Sequence, residues 1–486
     1  MTYFGHVELV RLLIQRGLAA VYLVAFLVVE NQFPALLGER GLLPVPAFLA
    51  RQRFRERPSL FFWRYSDRLL HTVAWTGVAL SLIALSGLAE RGPVWVPVAL
   101  WLLLWILYLS IVNVGQTFYA FGWESMLLEA GFFSAFLGPS WMQAPLVPIL
   151  ILRWMLFRTE LGAGLIKLRG DPCWRNLTCL YYHYETQPLP NPLSRHFHRL
   201  PHRMQRFSVL FSHGVQLVAP WGLFFPQPIA SVAGGVIILQ QLLLIVSGNY
   251  SWLNWLTIIL GLSACSDATL GMAAGHATAA LPIPLAWRAV LIALAVFTAI
   301  ASIAPVRNLL SRRQAMNRSY NPLHLVNTYG AFGSVTQTRH EIVLEATQDV
   351  ILNERTTWHE YDFRAKPGDP RRRPPQVAPY HLRLDWMMWF LPFSVAVGPG
   401  GLSLPGYDLW FLRLLKRLLA ADPATLGLLR RAPFGLRRPA HVRALYYHYQ
   451  FSSPAEKRRT GAWWTRQLVG VYLPPVTLST LERLEI

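Results

Sequence analysis

The protein is a chain of 486 residues in which hydrophobic side chains make up 53% and charged side chains only 14%. A soluble domain carries about 25% charged residues, so this composition argues against a purely soluble protein, and its aromatic content argues against disorder. The net charge is +20. Because the basic residues cluster at the ends of apolar segments, where they would contact anionic headgroups, we expect membrane lipids as partners and no nucleic acid.

Apolar segments recur up to residue 306, most of them without a charged residue, and each is a candidate for membrane-embedded helices. About 20 apolar residues cross a bilayer at 1.5 Å per residue, so the longest segment is predicted to form three spans. We predict seven to nine membrane-embedded helices within a domain formed by residues 1–306. The segments lie at about 10–29, 72–89, 92–123, 130–152, 207–266 and 289–305.

The character of the chain changes after residue 306. Apolar and polar side chains alternate with a period of two in four segments, which predicts strands, and the stretch near 407–432 is predicted to be a helical insertion. The fold class predicted is therefore a polytopic α-helical membrane protein with a C-terminal β-rich extramembrane domain at 307–486, which faces water. The four alternating segments are 335–344, 357–364, 381–390 and 443–451.

Ionisable side chains within the apolar segments form the first candidate site. Glu124, Glu129, Glu160 and Lys167 would be costly at membrane depth, so they either form buried ion pairs that orient helices, the commoner outcome, or line a polar cavity. If the protein is an enzyme, these four are its candidate catalytic residues. An enzyme requires that they converge on an open pocket, whereas separate closed pairs indicate a structural role.

An interfacial loop at 168–205 forms the second candidate site, and it leaves its helix through a Gly-Asp-Pro turn signal. Three cysteines are too few for a disulfide scaffold, but one bridge between Cys173 and Cys179 is possible if the loop faces an oxidising compartment. Histidines amid arginines are typical of a basic surface, so we predict no metal and no cofactor. The candidate client-contact or structural residues are Arg169, Asp171, Cys173, Trp174, Cys179, His183, Tyr184 and Glu185.

Several long motifs of the chain resemble the lipase maturation factor family. They include R-G-D-P-C-W at 169–174, Y-H-Y-E-T-Q-P at 182–188, W-E-S-M-L-L-E-A-G-F at 123–132 and Y-G-A-F-G-S-V-T-Q-T-R-H-E-I at 329–342. The resemblance implies a membrane-anchored maturation factor or chaperone that assists the folding or assembly of secreted lipase-like clients. It implies the endoplasmic reticulum membrane in a eukaryote and the plasma membrane in a bacterium, and the predominance of arginine over lysine is typical of a bacterial genome. The resemblance implies no catalytic residues for this chain, because the family has none that are established.

Two other interpretations stay open. The layout of membrane helices before a β-rich domain is also similar, more weakly, to vitamin K-dependent carboxylases. That similarity implies an integral membrane enzyme, carboxylase-like or lipid-modifying, with a polar intramembrane cavity and Lys167 as its base. Polar groups at membrane depth would also suit a transporter or a quinone-linked subunit, although the sequence shows no inverted repeat of broken helices.

Overall fold

The N-terminal part of the protein is built from helices that follow the apolar segments. The structure is a computed structural model that describes residues 3–271, 280–398 and 401–484. The helices are α1 (Glu8–Leu37), α2 (Val45–Leu49), α3 (Asp67–Ser86), α4 (Trp95–Val114), α5 (Gly122–Ser134), α6 (Leu146–Arg169), α7 (Pro172–Arg175), α8 (Leu180–Thr186), α9 (Ser194–His198), α10 (His202–Leu217), α11 (Ala219–Gly222), α12 (Ile229–Ser247), α13 (Leu253–Leu262), α14 (Leu285–Ala301) and α15 (Ile303–Leu310).

Within the described residues, five helical segments are long and apolar enough to cross a membrane. They are α1, α3, α4, α12 and the segment that α14 and α15 form together. The uncharged segment at 207–266 does not form three long spans, because α10 is amphipathic and α13 has only 10 residues, too few to cross a bilayer. The total of seven to nine membrane-embedded helices stays a prediction.

The C-terminal part contains one antiparallel sheet with strand order β2-β1-β5-β6, in which β6 is an edge strand, and a separate antiparallel pair of β3 and β4. Strands β1 and β5 overlap predicted strands, and α17 and α18 lie within the stretch predicted to be helical. The elements are β1 (Arg339–Thr347), β2 (His359–Glu360), α16 (Arg383–Phe390), β3 (Ala396–Gly398), β4 (Gly401–Ser403), α17 (Leu409–Leu419), α18 (Pro423–Leu426), β5 (His441–Phe451), α19 (Pro454–Thr460), β6 (Trp464–Val476) and α20 (Leu478–Arg483).

The predicted strand at 381–390 is wrong, because these residues form helix α16 and the turn before it. The alternation that suggested a strand treated the polar side chains as solvent-facing. Both Arg383 and Asp385 are buried instead, and Asp385 Oδ1 accepts hydrogen bonds from the backbone N–H groups of Ala365 at 2.6 Å and Lys366 at 3.0 Å. Because a polar side chain can be buried when it has a hydrogen-bond partner there, its position in the sequence does not show which face of an element is exposed to solvent.

One continuous apolar core unites the helices with the C-terminal elements, running from α1 through to β5 and β6. Polar side chains fasten the two parts together inside it. Gln32 of α1 is buried; its side-chain amide donates to the carbonyl of His381 at 2.7 Å and accepts from the N–H of Arg383 at 3.0 Å. The N-terminus of α16 is thereby held against α1, which places the candidate site residues at the junction of the two parts.

Candidate functional site

Glu124 belongs to a closed polar cluster between α5 and α16. Its Oε1 lies 2.8 Å from Arg383 Nη1, the Tyr108 hydroxyl donates to its Oε2, and both charged side chains are fully buried. Arg383 also donates to the carbonyl of Phe118 at 2.7 Å. An ion pair with these additional hydrogen bonds is neutralised locally, so the carboxylate is committed to holding the C-terminal part against the helices.

Glu129, one and a half turns further along α5, forms a second closed cluster. Arg158 of α6 donates to its Oε1, while its Oε2 accepts from the Asn327 N–H at 2.8 Å, the Asn327 side-chain amide at 3.0 Å and the Tyr329 hydroxyl at 2.8 Å. Arg158 donates in addition to the carbonyl of Asn327. The cluster therefore ties the segment that precedes β1 to two helices.

Glu160 and Lys167 line a cavity of about 1320 Å³, which is bounded by α6, α10, α12, α13, α16 and the interfacial loop. Glu160 Oε1 accepts from the Gln241 side-chain amide at 2.9 Å. Lys167 Nζ donates to Gln216 Oε1 at 2.8 Å and lies 4.6 Å from the centre of the Trp174 ring. The structure therefore brings together two of the four predicted ionisable residues, whereas the other two are neutralised in separate closed clusters, as the structural interpretation expects.

The first half of the interfacial loop is locked onto the segment before β1. Cys173 and Cys179 are joined in a disulfide. Asp171 Oδ1 caps α7 by accepting from the Cys173 N–H at 2.9 Å, its own N–H donates to the Gly333 carbonyl at 2.9 Å, and the Trp174 indole N–H donates to the Phe332 carbonyl at 2.8 Å. Two motifs are thus in direct contact although Trp174 and Phe332 are separated by 158 positions in the sequence.

The second half of the loop connects the cavity to the sheet. His183 Nε2 lies 3.0 Å from the Tyr250 hydroxyl, and burial, with a smaller contribution from the charge of Lys167, lowers the pKa of His183 to about 3. Glu185 Oε2 accepts from the N–H of Phe451 in β5 at 2.7 Å. Burial raises the pKa of Glu185, although this hydrogen bond opposes the shift.

Most of the predicted loop residues are buried rather than exposed. Cys173, Trp174, Cys179, His183, Tyr184 and Glu185 are all less than a tenth exposed. Arg169 is exposed, and its guanidinium donates to Gln314 Oε1 at 2.6 Å. Among the residues that the structure describes, no group of three or more His, Cys, Asp or Glu side chains has an arrangement that could hold a metal ion.

The groups that hold Glu124 and the carbonyls of the interfacial loop were not predicted from the sequence. Arg383 was assigned to a strand, and only the position of its guanidinium in space reveals that it neutralises Glu124. Arg339 donates to the carbonyls of Glu185, Gln187 and Pro188, at 2.9, 2.5 and 3.1 Å. Arg339 lies within T-R-H-E-I, part of a motif that resembles the family, and this motif was the feature of the sequence that could have pointed to its role.

Comparison with known proteins identifies the family. The chain matches the models for the lipase maturation factor transmembrane domain over residues 9–272 and the lipase maturation factor C-terminal domain over residues 325–474. Proteins named Lipase maturation factor 1 from Bos taurus and Homo sapiens are 42% and 41% identical to it, over 98% of this chain and 91% and 89% of theirs. Lipase maturation factor 2 from Homo sapiens is 30% identical, over 98% of this chain and 84% of its own length.

No solved structure matches the chain. The family match confirms the predicted class, a polytopic α-helical membrane protein with a sheet-containing C-terminal domain, and it does not favour the enzyme interpretation. Since both domain models match in order and the identity extends over nearly the whole chain, the protein belongs to the lipase maturation factor family.

Proposed function

We propose that this protein is a membrane-anchored maturation factor that assists the folding or assembly of a secreted lipase-like client. The observation that carries the proposal is the 42% identity to a protein named Lipase maturation factor 1 over 98% of this chain. Such an alignment includes both the helical part and the sheet. The closed clusters around Glu124 and Glu129 agree with a scaffold role, because they fix the sheet to the helices and leave neither carboxylate available to a substrate.

The buried residues of the interfacial loop act as structural residues in this proposal, and the client binds elsewhere. Strand β6 is suited to this contact because it lies at the edge of the sheet and its Leu468, Val469 and Val471 are exposed. Edge strands with exposed apolar side chains pair readily with an extended segment of another chain, and an immature client offers such segments.

The loop and the sheet face the compartment in which secreted proteins fold, the endoplasmic reticulum lumen in a eukaryote or the extracytoplasmic side of the plasma membrane in a bacterium. A disulfide such as that of Cys173 and Cys179 persists in an oxidising compartment. The test is to express the chain in bacterial cells and to treat the intact cells with a membrane-impermeant maleimide, with and without prior reduction. The proposal is supported if these cysteines are labelled only after reduction while the membrane that encloses the cytoplasm stays intact. It is contradicted if they can be labelled only from the cytoplasm.

The function itself is tested by co-expressing the chain with a panel of secreted lipases and measuring enzyme activity per unit of lipase protein. We expect the chain to raise this specific activity for at least one lipase and to co-purify with it. The variant Val469→Lys/Val471→Lys should abolish both effects, whereas Val350→Lys, at an exposed loop position, should leave them unchanged. No gain for any lipase in the panel would overturn the proposed function, and a gain that survives the β6 variant would overturn the assignment of the contact.

A further inference from the structure

The cavity that contains Glu160 and Lys167 is lined by two chemically different sets of residues. One set, here called the polar end, consists of Glu160, Lys167, Gln216, Gln240 and Gln241, which hydrogen bonds group together directly or through Ser212. The rest of the wall is mainly apolar and aromatic. With about 1320 Å³ the cavity exceeds the usual volume of about 300–1,000 Å³ for pockets that hold drug-sized ligands. This volume, together with a polar group of side chains in a mainly apolar wall, fits an amphiphilic ligand.

The polar end contains buried acceptors that the described part of the protein does not satisfy. Glu160 is 2% exposed, and although Gln216 lies near it, Glu160 Oε2 has no described partner in hydrogen-bond geometry. Gln240 is 5% exposed, and its Oε1 likewise lacks a described partner, while its Nε2 donates to Ser212 Oγ at 2.9 Å. Buried acceptors without partners are rare and costly, so they indicate a ligand that donates hydrogen bonds.

Lys167 adds a donor to the polar end. Its ammonium group has three N–H bonds, of which Gln216 Oε1 takes one at 2.8 Å and Ser212 Oγ takes a second at 3.4 Å. The ligand therefore offers at least two hydrogen-bond donors for the acceptors on Glu160 and Gln240, and one acceptor for Lys167. Two hydroxyl groups next to an ester or phosphate oxygen meet these requirements together.

The cavity reaches the surface that faces lipid. Leu243 lines it and is 43% exposed on α12, one of the helices long and apolar enough to cross a membrane. Met204 of α10 also lines it and is 52% exposed. An exposed apolar side chain on a membrane-spanning helix contacts acyl chains, so a bilayer lipid has direct access to the cavity.

We propose that this cavity binds a glycerolipid with free hydroxyl groups, whose hydroxyls donate to Glu160 and Gln240 and whose ester or phosphate oxygen accepts from Lys167. The acyl chain lies along the apolar wall toward Leu243. Both an acylglycerol and a glycerophospholipid with a glycerol headgroup supply this chemistry. Binding of such a lipid is a property of the protein alone and does not depend on a lipase client.

The test uses the full chain reconstituted in phosphatidylcholine bilayers that contain small equal fractions of monooleoylglycerol and dioleoylphosphatidylglycerol. After gentle extraction, the lipids retained on the protein are quantified by mass spectrometry. We expect at least one of the two hydroxyl lipids to be enriched about tenfold over phosphatidylcholine relative to the bilayer, as a few additional hydrogen bonds allow. Which of the two is enriched identifies the source of the glycerol group.

Two variants locate the site. Ala163, on α6 between Glu160 and Lys167, lines the cavity, so Ala163→Phe should remove the enrichment by filling it. The matched control is Gly235→Phe on α12, where an added side chain meets open space. Gln240→Leu keeps the cavity apolar and open but removes one free acceptor, so it should lower the enrichment severalfold even if Ala163→Phe fails to fold.

Four results would overturn the proposal, and three of them concern the lipids retained on the protein. The first is that the wild-type protein retains all three lipids in proportion to their share of the bilayer. The second is that the enrichment is unchanged in both Gln240→Leu and a folded Ala163→Phe. The third is that Gly235→Phe loses the enrichment to the same extent as Ala163→Phe. A co-expressed lipase that photo-crosslinks to an unnatural amino acid at Leu244 in the cavity, and thereby displaces the lipid, would assign the cavity to the client and overturn lipid binding as well.

Discussion

The substitution Glu129→Gln tests whether the cluster on α5 holds the segment before β1 in place. In the wild-type protein the carboxylate receives four hydrogen bonds from Arg158, Asn327 and Tyr329. Glutamine has nearly the same shape, but it removes the negative charge and replaces one accepting oxygen by a donor. Arg158, which is 1% exposed, would then remain buried without an anionic partner.

Breaking a buried ion pair in this way costs about 3–5 kcal/mol, which changes the unfolding equilibrium by a factor of about 100 or more. Thermal unfolding in a bilayer mimetic, followed by tryptophan fluorescence, should show the loss, and hydrogen exchange should accelerate at Asn327. The matched control is Glu360→Gln. Glu360 pairs with Arg466 on the surface, where both side chains are more than a fifth exposed, so its loss should cost less than about 1 kcal/mol. Equal effects of the two substitutions would refute the reasoning.

Three further outcomes are expected. Replacing Cys173 and Cys179 by serine should destabilise the loop by about 2 kcal/mol, a modest amount because the disulfide closes only a short segment. Proteolytic cleavage within the loop should become faster, and an unchanged rate of cleavage would contradict this prediction. Gly170→Ala places a Cβ against the backbone carbonyl oxygen of Gly333 and should lower the free energy of unfolding by about 1–3 kcal/mol, whereas Gly235→Ala should not. The pKa of His183 is about 3 in the folded protein and near 6.5 in the unfolded chain, so the free energy of unfolding should fall as the pH drops through this range. His183→Gln should make this decline shallower. An equally steep decline in the variant would contradict the role of His183.

Sequence patterns predicted the elements whose side chains follow a regular period. Most of helix α3 lies on the uncharged segment at 72–89, and the end of β5 shows the alternation expected of a strand, with Tyr449 buried and Gln450 exposed. Both signals are local, because they depend only on which side chains of one element avoid water.

The partners of the buried charges could not be predicted in the same manner. Glu124 and Arg383 are separated by 259 positions, and Asn327 lies 198 positions beyond Glu129. No periodicity within either segment indicates that these groups meet. The polar residues Arg383 and Asp385, which alternate with apolar ones, even gave α16 the appearance of a strand because they were taken as solvent-facing. The sequence did indicate that the carboxylates need compensation, because charges in apolar segments are costly, but only the tertiary structure identifies the groups that provide it.

The distance along the chain between Glu124 and Arg383 has a consequence for biosynthesis. At about 5–20 residues per second, the ribosome needs on the order of 10–50 s to add the residues between them. During that interval α5 is already made and its carboxylate has no guanidinium partner. The helical part therefore cannot reach its final packing as it emerges, and the last step of its assembly waits for α16. A factor that helps other chains mature thus depends, in its own synthesis, on a contact that closes late.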